Sequence, residues 1–494
     1  MSSLISRFTL PISRFRLQVS RPLALSLTSF LSLVAYTFGL LVPYSLFSLG
    51  LRPLLNAAKL TRDDTLAQAN FVLTFASLSA LYYLAWRLCR GRQPRAMWIV
   101  LLGGAILLNF AMLWLYPIGA ADIFDNISRG RITAVHGGNP FYNVPRDFSN
   151  DPFLRYDAWP RTRTAYGPLW EMMAAGTSRL VGDDKLANVL GFKLLGLVFY
   201  AGCIVLIAAI LNRHASERAL QGVCLFALNP LVIYETAGNG HNDIVMAFFI
   251  VLALWTQTRG RFTLAALALT AGALVKFIPL LLLPITVTAA LRTLPSPRNR
   301  TYYLLITSIA CATLAVAVYA PFWRGGDPVD FQRREGLFTS SLPAVIQVQL
   351  EGPLGVDQSR WIVSRIALVV TGLVIAAAVW RTWVERDWLS PIRASTFVLL
   401  FYLLFTCLWF QSWYTLWPLA LAAILPEGET GRIAVLLSYS ALWKTIIFDY
   451  FIYRGGPLPP RLWRETWLGP ATLGVTWSYG AYAFARKMRH RFRR

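Results

Sequence analysis

Charge is what this sequence has least of. Only 14% of its 494 residues are Asp, Glu, Lys or Arg, where a soluble globular chain carries about 25%. Acids are scarcest, 24 against 47 basic residues, which leaves a net charge of +23. The five cysteines contain no C-x-x-C and no metal-ligand spacing, so they read as small buried residues, neither a disulfide framework nor a zinc site. Histidine occurs only four times. No internal period appears, which excludes a solenoid. No linker sets off a soluble domain, so the positive charge has no nucleic-acid-binding module to sit on.

What fills the chain is apolar sequence. Hydrophobic residues make up 56%, in runs near the roughly 20 residues a helix needs to cross a bilayer. The runs recur from 23–50 to 466–485 and are continuous, whereas barrel strands alternate. The expected fold class is therefore an all-α polytopic membrane protein with about 12–14 transmembrane segments. The segments 262–275 and 277–291 read as a hairpin around Pro279, because Arg292, Arg298 and Arg300 follow with no acid between them.

Arginine position gives the orientation. Residues 1–22 hold four arginines, 87–96 four, and 486–494 five plus a lysine, all without an acid; such loops stay inside. The stretch 118–168 balances six arginines with five aspartates, and 323–360 four arginines with five acids, which suits outer loops. The chain thus divides into a basic inner segment 1–22, lying at the lipid surface and retained, not cleaved as a signal peptide; one integral-membrane domain, 23–485; and a basic inner tail, 486–494. On this topology 118–168, the turn 238–243, Lys276, 323–360, 411–413 and 450–465 share the outer face.

Those stretches carry the candidate chemistry. In YPIGAADIFDNISRGR, Asp122 closely follows an apolar helix, and Asp125 lies three residues on, on one face if helical. Asp122 either acts as a general base or caps a helix beginning at Ile123. Further on, Gly137, Gly138, Asn139 and Pro140 make a turn, and Pro168, two residues after Tyr166, starts a short surface helix. The turn GNGHND contains Asn239, His241, Asn242 and Asp243. It is either a capped polar hairpin or a set of groups for a sugar and a phosphate. On a helix His241 and Asp243 diverge, which argues against a metal pair. Lys276 lies inside an apolar run, where an ammonium either snorkels or meets an anion. Gln411, Trp413, Tyr414 and Trp417 are either interfacial belt residues or a surface for stacking on a sugar.

Taken in order, Asp122 after a membrane helix, then GGNPFY, TAYGPLW, LNPLVIYETAGNGHNDIVM and LVKFIPLLLLP, the motifs resemble the polyprenyl-phosphate-mannose-dependent mannosyltransferases of the GT-C superfamily. Within it they look most like bacterial α-mannosyltransferases and family 87 glycosyltransferases. The resemblance is carried by residues 97–290. It implies a GT-C-like bundle whose outer loops bear short surface helices. The reaction implied is inverting transfer of a sugar, mannose foremost, from a polyprenyl-phosphate donor to a lipid or glycan acceptor, on the outer face of a plasma membrane (an ER membrane in a eukaryote). It makes Asp122 the base, and His241, Lys276 and Arg129 or Arg131 the candidates for holding the phosphate. Two departures matter. Ile123 and Phe124 separate Asp122 from Asp125, where the family often has its acids closer, so either could be the base. Two apolar segments precede the helix before Asp122, which looks extended against the family. No cofactor is required; the outer acids are suited to a divalent cation, which the resemblance does not demand. Membrane lipids are expected partners and nucleic acid is not. A transporter or lipid flippase is the alternative, although the paired broken halves of such proteins are not visible. Asn126, Ile127 and Ser128 form a glycosylation sequon beside Asp122, which leans towards a prokaryotic source.

Overall fold

The computed structural model describes residues 20–325, 337–453 and 460–492. Most of the expected inner segment 1–22, residues 326–336 of the second outer loop, 454–459 of the stretch 450–465, and 493–494 lie outside the described residues. Among the described residues the elements are helical, with only two isolated bridges, Ser45 with Leu115 and Thr339 with Trp409.

Helix α1 (Arg21–Tyr36) continues through a π-helical turn to Tyr44 and packs against α2 (Thr65–Leu88) and α3 (Arg95–Met112). A polar helix, α4 (Asp122–Ala134), follows and packs against α5 (Pro168–Val181). Pro168 opens α5, as the sequence predicts, and α5 runs on past Trp170 and Met173 to Gly182, whose φ of +68° ends it. The long α6 (Lys185–His214) is capped by Asp184, whose carboxylate accepts from Ala187 N–H at 2.6 Å. Next comes α7 (Ala219–Ala227), then a short helix from Pro230 that relaxes into a π-turn over Tyr234–Gly238. Helices α8 (Asp243–Thr258), α9 (Phe262–Ala273) and α10 (Leu283–Thr293) form the centre, α8 packing on α6 and α9. The outer flank holds α11 (Pro297–Tyr319), α12 (Leu342–Leu354) and α13 (Val356–Val384). Then follow α14 (Ser390–Phe401), α15 (Leu416–Ala422), α16 (Glu429–Tyr453) and α17 (Leu468–Phe492).

The all-α, multi-pass architecture is as expected. Among the described residues, six helices are long and apolar enough to cross a membrane, seven if the bent pair Ser216–Ala227 and Pro230–Gly238 counts as one span. Four more apolar helices have only 10–17 residues, and α15 has seven, all buried. Hydropathy cannot tell a helix buried in protein from one facing lipid, and these short helices are largely the buried ones. Exposed apolar side chains such as Phe30, Leu73, Ile106, Val198, Ile309 and Leu368 lie on the longer elements. The predicted break at 274–277 is present, and α10 packs back on α9, as a hairpin requires.

The two ends of the bundle differ. At one, short arginine-bearing loops are tied together. Arg21 donates to Arg90 O, Arg218 pairs with Glu427 at 3.1 Å, and Arg292 donates to the carbonyls of Thr382, Glu385 and Asp387. The other end gathers the loops predicted to share one face.

Candidate functional site

The site is built from the chain that joins α3 to α4. Lys193, wholly buried on α6, donates to the carbonyls of Leu113 at 2.9 Å and Leu115 at 2.5 Å. This satisfies acceptors that the end of α3 leaves open. Gly119 N–H donates to Asn239 Oδ1 at 2.9 Å, and a Cβ on Gly119 would lie 2.4 Å from Asn239 Nδ2. The turn 238–243 is thereby seated directly against the start of α4.

Asp122 is the first residue of α4, and the N-cap is Ala121, with no side-chain cap bond. The capping role open in the sequence is therefore not the one it plays. A quarter of its side chain remains accessible from a cavity, and Oδ2 lies 4.0 Å from His241 Nδ1. Burial raises its pKa to about 6, Asp243 adding to the rise and Lys276, Arg129 and Lys444 opposing it. Asp125 differs. Its Oδ1 accepts from Ala158 N–H at 2.8 Å, and burial, then the Asp157 carboxylate, push it above the usual carboxylate range. Both carboxylates border the cavity, and Asp125 is tied to the loop by that bond.

The turn itself depends on Gly240, whose φ is +71° and whose Cβ, if present, would lie 2.5 Å from Ile123 Cδ1. His241 is buried, stacked on Trp413 with ring centroids 3.8 Å apart and planes 16° off parallel. Burial, then the Lys276 charge, hold its imidazole neutral, well below the usual histidine range. Asp243 turns the other way, as the spacing predicts: it accepts from Lys276 Nζ at 2.5 Å and from Trp417 Nε1 at 2.7 Å. Lys276 thus has a carboxylate of the protein as its anion, and it also lies 5.0 Å from the Tyr166 ring centroid and 5.7 Å from that of Tyr414. Asn242 Nδ2 is buried without a hydrogen-bond partner among the described residues.

These groups surround a cavity of about 1070 Å³. Of the candidates, Asp122, Asp125, Arg129, Tyr166, Lys276, Gln411 and Trp413 line it, while Asn239, His241, Asn242 and Asp243 stand behind that wall. Arg129 donates to Asp125 O and to Thr162 Oγ1, bracing the loop that forms the rim. Arg131 and Asn139 do not line the cavity. Arg131 pairs with Asp151 and Asp183 and stacks over Phe153, and Asn139 donates to Phe322 O at 2.7 Å. Both hold the folded loop 118–168. Asn126 is buried too, its Oδ1 accepting from Trp170 Nε1 at 3.0 Å. A glycan has no access there, so the sequon says nothing about the source.

Sequence reasoning missed several lining or supporting groups. Lys444, which donates to Gln411 Oε1 at 2.6 Å, is a lysine within an apolar run, the signal that drew attention to Lys276. Glu235, the lone acid between Ala219 and Asn242, sits just ahead of the turn. Its buried carboxylate accepts from Ser412 Oγ at 2.6 Å and Asn239 Nδ2 at 2.9 Å. Arg161, Arg163 and Arg464 line the cavity without any sequence mark to single them out. Among the described residues no group of three or more His, Cys, Asp or Glu is placed to hold a metal ion.

Comparison with known proteins supplies the remaining findings. Residues 28–292 match the family described as alpha-(1->6)-mannopyranosyltransferase, N-terminal domain, and residues 179–410 match glycosyltransferase family 87. Alpha-(1->6)-mannopyranosyltransferase A of Mycobacterium tuberculosis is 24% identical over 380 residues, 73% of this chain and 71% of that protein. Alpha-(1->6)-mannopyranosyltransferase B of Corynebacterium glutamicum is 28% identical over 154 residues, 29% of this chain and 24% of that protein. Alpha-(1->6)-mannopyranosyltransferase A of the same organism is 26% identical over 168 residues, a third of each chain (33%).

Proposed function

The chain belongs to the alpha-(1->6)-mannopyranosyltransferase family, a GT-C family of multi-pass membrane glycosyltransferases, and from that premise we propose its reaction: inverting transfer of mannose from a polyprenyl-phosphate donor to a lipid or glycan acceptor at the outer face of the plasma membrane. The observation that carries this reading is Asp122, an uncapped, cavity-facing carboxylate whose proton affinity is raised by burial. A base poised near neutrality can take a hydroxyl proton as the bond to carbon forms.

In the proposed step the acceptor hydroxyl gives its proton to Asp122 and its oxygen attacks the anomeric carbon. The bond from that carbon to the phosphate oxygen breaks, and polyprenyl phosphate leaves with the electron pair. A single displacement needs one base and a stabilised anion, not two carboxylates flanking the bond. Asp125, committed to Ala158 N–H, is not the base. Arg129, Lys444 and Arg464, all on the cavity wall, are the cations we assign to the phosphate. Lys276 keeps its place against Asp243.

The test is Asp122→Asn in purified protein, given synthetic short-chain polyprenyl-phosphate mannose and a panel of acceptors, with products analysed by mass. Turnover should fall by about 10²–10⁴-fold in a protein that still inserts and folds. Near wild-type turnover with Asp125 intact would sink the assignment. Accumulation of donor inside sealed vesicles without any glycosidic product would favour a transporter.

A further inference from the structure

Behind the cavity wall, one buried imidazole stands between two carboxylates. His241 Nδ1 faces Asp122 Oδ2 at 4.0 Å, and Nε2 faces Glu235 Oε2 at 3.3 Å. The stack on Trp413 restricts the plane of the ring, and His241 N–H donates to Glu235 O at 3.0 Å, so the two residues are tied through the backbone as well. Glu235 in turn is held from both sides, by Ser412 at Oε1 and Asn239 at Oε2. Asn239 is itself fixed by Gly119 N–H, three residues before Asp122. Burial favours the protonated acid, and the donors on both oxygens oppose it. None of the steps assigned to Asp122 uses Glu235.

We propose that Glu235 is a positioning residue that acts through His241: it draws the ring proton to Nε2, so that the Nδ1 lone pair is what Asp122 meets. The inference rests on the reading of Asp122 as the base. The proton on one ring nitrogen is set by the bond the other makes. Among the described residues Nε2 has no other partner, and a tilt within the stack turns the 3.3 Å approach into a hydrogen bond. At 4.0 Å, Asp122 and Nδ1 are not hydrogen-bonded while Asp122 is an anion, since two acceptors face each other. Once Asp122 has taken the acceptor's proton, its O–H donates to Nδ1. That bond exists only after proton transfer, so it favours the catalytic direction without charging the imidazole. The charged groups facing His241 are Asp122 on α4, Glu235 on the π-turn and Lys276 beyond α9, and Lys276 is balanced by Asp243.

The experiment is a double-mutant cycle on the full-length protein in the mannosyl-transfer assay. In Glu235→Gln the negative charge is lost and the amide oxygen, kept at the Oε2 position by Asn239 Nδ2, is a weaker acceptor for Nε2–H, so the ring proton is freer to sit on Nδ1 and face Asp122. The expected result is a fall in kcat of about 10–100-fold with KM for donor and acceptor unchanged. The acidic limb of the pH profile moves to lower pH, because a donor facing Asp122 stabilises its anion. His241→Gln should lose a similar factor, and Glu235→Gln should cost nothing more in that background. Ser412→Ala, which removes one support from Glu235 without touching the ring, should give a smaller loss that also vanishes in the His241→Gln background; it serves where Glu235→Gln does not accumulate. Wild-type kcat in Glu235→Gln or His241→Gln overturns the proposal, as does an equal loss in both backgrounds, which would mark a structural role. Asp122→Asn separates the two readings. If it is active, the base assignment fails; if it is inactive while Glu235→Gln is normal, only the present inference fails.

Discussion

The Asp243–Lys276 pair makes the sharpest test of how the site is held. Asp243 is completely buried and Lys276 nearly so, with side-chain exposures of 0% and 10%. Lys276→Met removes the ammonium at 2.5 Å and leaves a carboxylate whose donors among the described residues are Trp417 Nε1 and its own helix start. Breaking a buried pair by removing one partner costs about 3–5 kcal/mol, because the other charge stays uncompensated. Replacing both charges is a different matter. In Asp243→Asn/Lys276→Met the amide oxygen still accepts from Trp417, and no buried charge remains. The double variant should therefore recover to within about 1 kcal/mol of the parent. Four of the five cysteines are buried, so reaction with a thiol-specific dye during unfolding in detergent reports the transition directly. The reasoning is refuted if Lys276→Met unfolds like the parent, or if the double variant is no more stable than the single. Donor KM reads out the alternative role: if Lys276 met the donor phosphate, the double variant would be stable yet bind donor poorly.

Three further outcomes are expected. Because Asp122 is raised to about 6 and must be ionised to act, kcat/KM should be nearly flat above pH 7 and fall about tenfold per unit below pH 6; a profile flat down to pH 4.5 excludes this carboxylate as the base. Gly240→Ala places a Cβ at φ +71° and 2.5 Å from Ile123 Cδ1, at a cost of about 1–3 kcal/mol. Adding Ile123→Val, which removes that Cδ1, should restore only the steric part, as read by the same dye assay. Expression in a glycosylating host should leave Asn126 unmodified, and a mass loss from that site on treatment with an N-glycanase would contradict its burial against Trp170.

The sequence carried the class of fold and much of the candidate cavity wall, for identifiable reasons. Long apolar runs and acid-free arginine loops reflect the bilayer itself, which acts on every residue of a span and so leaves a redundant signal. The turn 238–243, Asp122 and Lys276 stood out because polar groups are costly in such surroundings. Arg131 and Asn139 carried the same polar signal, but in a solvated loop that signal does not distinguish binding from loop structure; Asp151, Asp183 and the Phe322 carbonyl took them. Glu235 and Ser412 are 177 residues apart, and the bond between them is a tertiary fact with no local trace. Whether a carboxylate is occupied, as Asp125 is by Ala158 N–H, is likewise decided by a neighbour 33 residues away.

The shortness of several apolar helices and the position of the site have one cause. Twelve residues of α9 rise about 18 Å, against roughly 30 Å for a hydrocarbon core, so such a helix stops within the apolar layer. Backbone ends at that depth are tolerated only where protein buries them or a wet cavity meets them. Here the ends of α8, α9, α14 and α15 stop around the same cavity, which is lined by 276–278 beyond α9 and by 407–417 between α14 and α15. Their open backbone groups also set which charges are favourable. Asp243 is the first residue of α8, at the positive end of its dipole, and Lys276 lies two residues past the Leu274 C-cap of α9, at a negative end. The buried pair thus joins the start of one short helix to the end of another with both charges on their favoured side. Trp417, at the start of α15, contributes the third bond to the same carboxylate. Full-length helices in these places would carry their ends to the membrane surface, and the carboxylate, the ammonium and the cavity wall they support would lose their common meeting point.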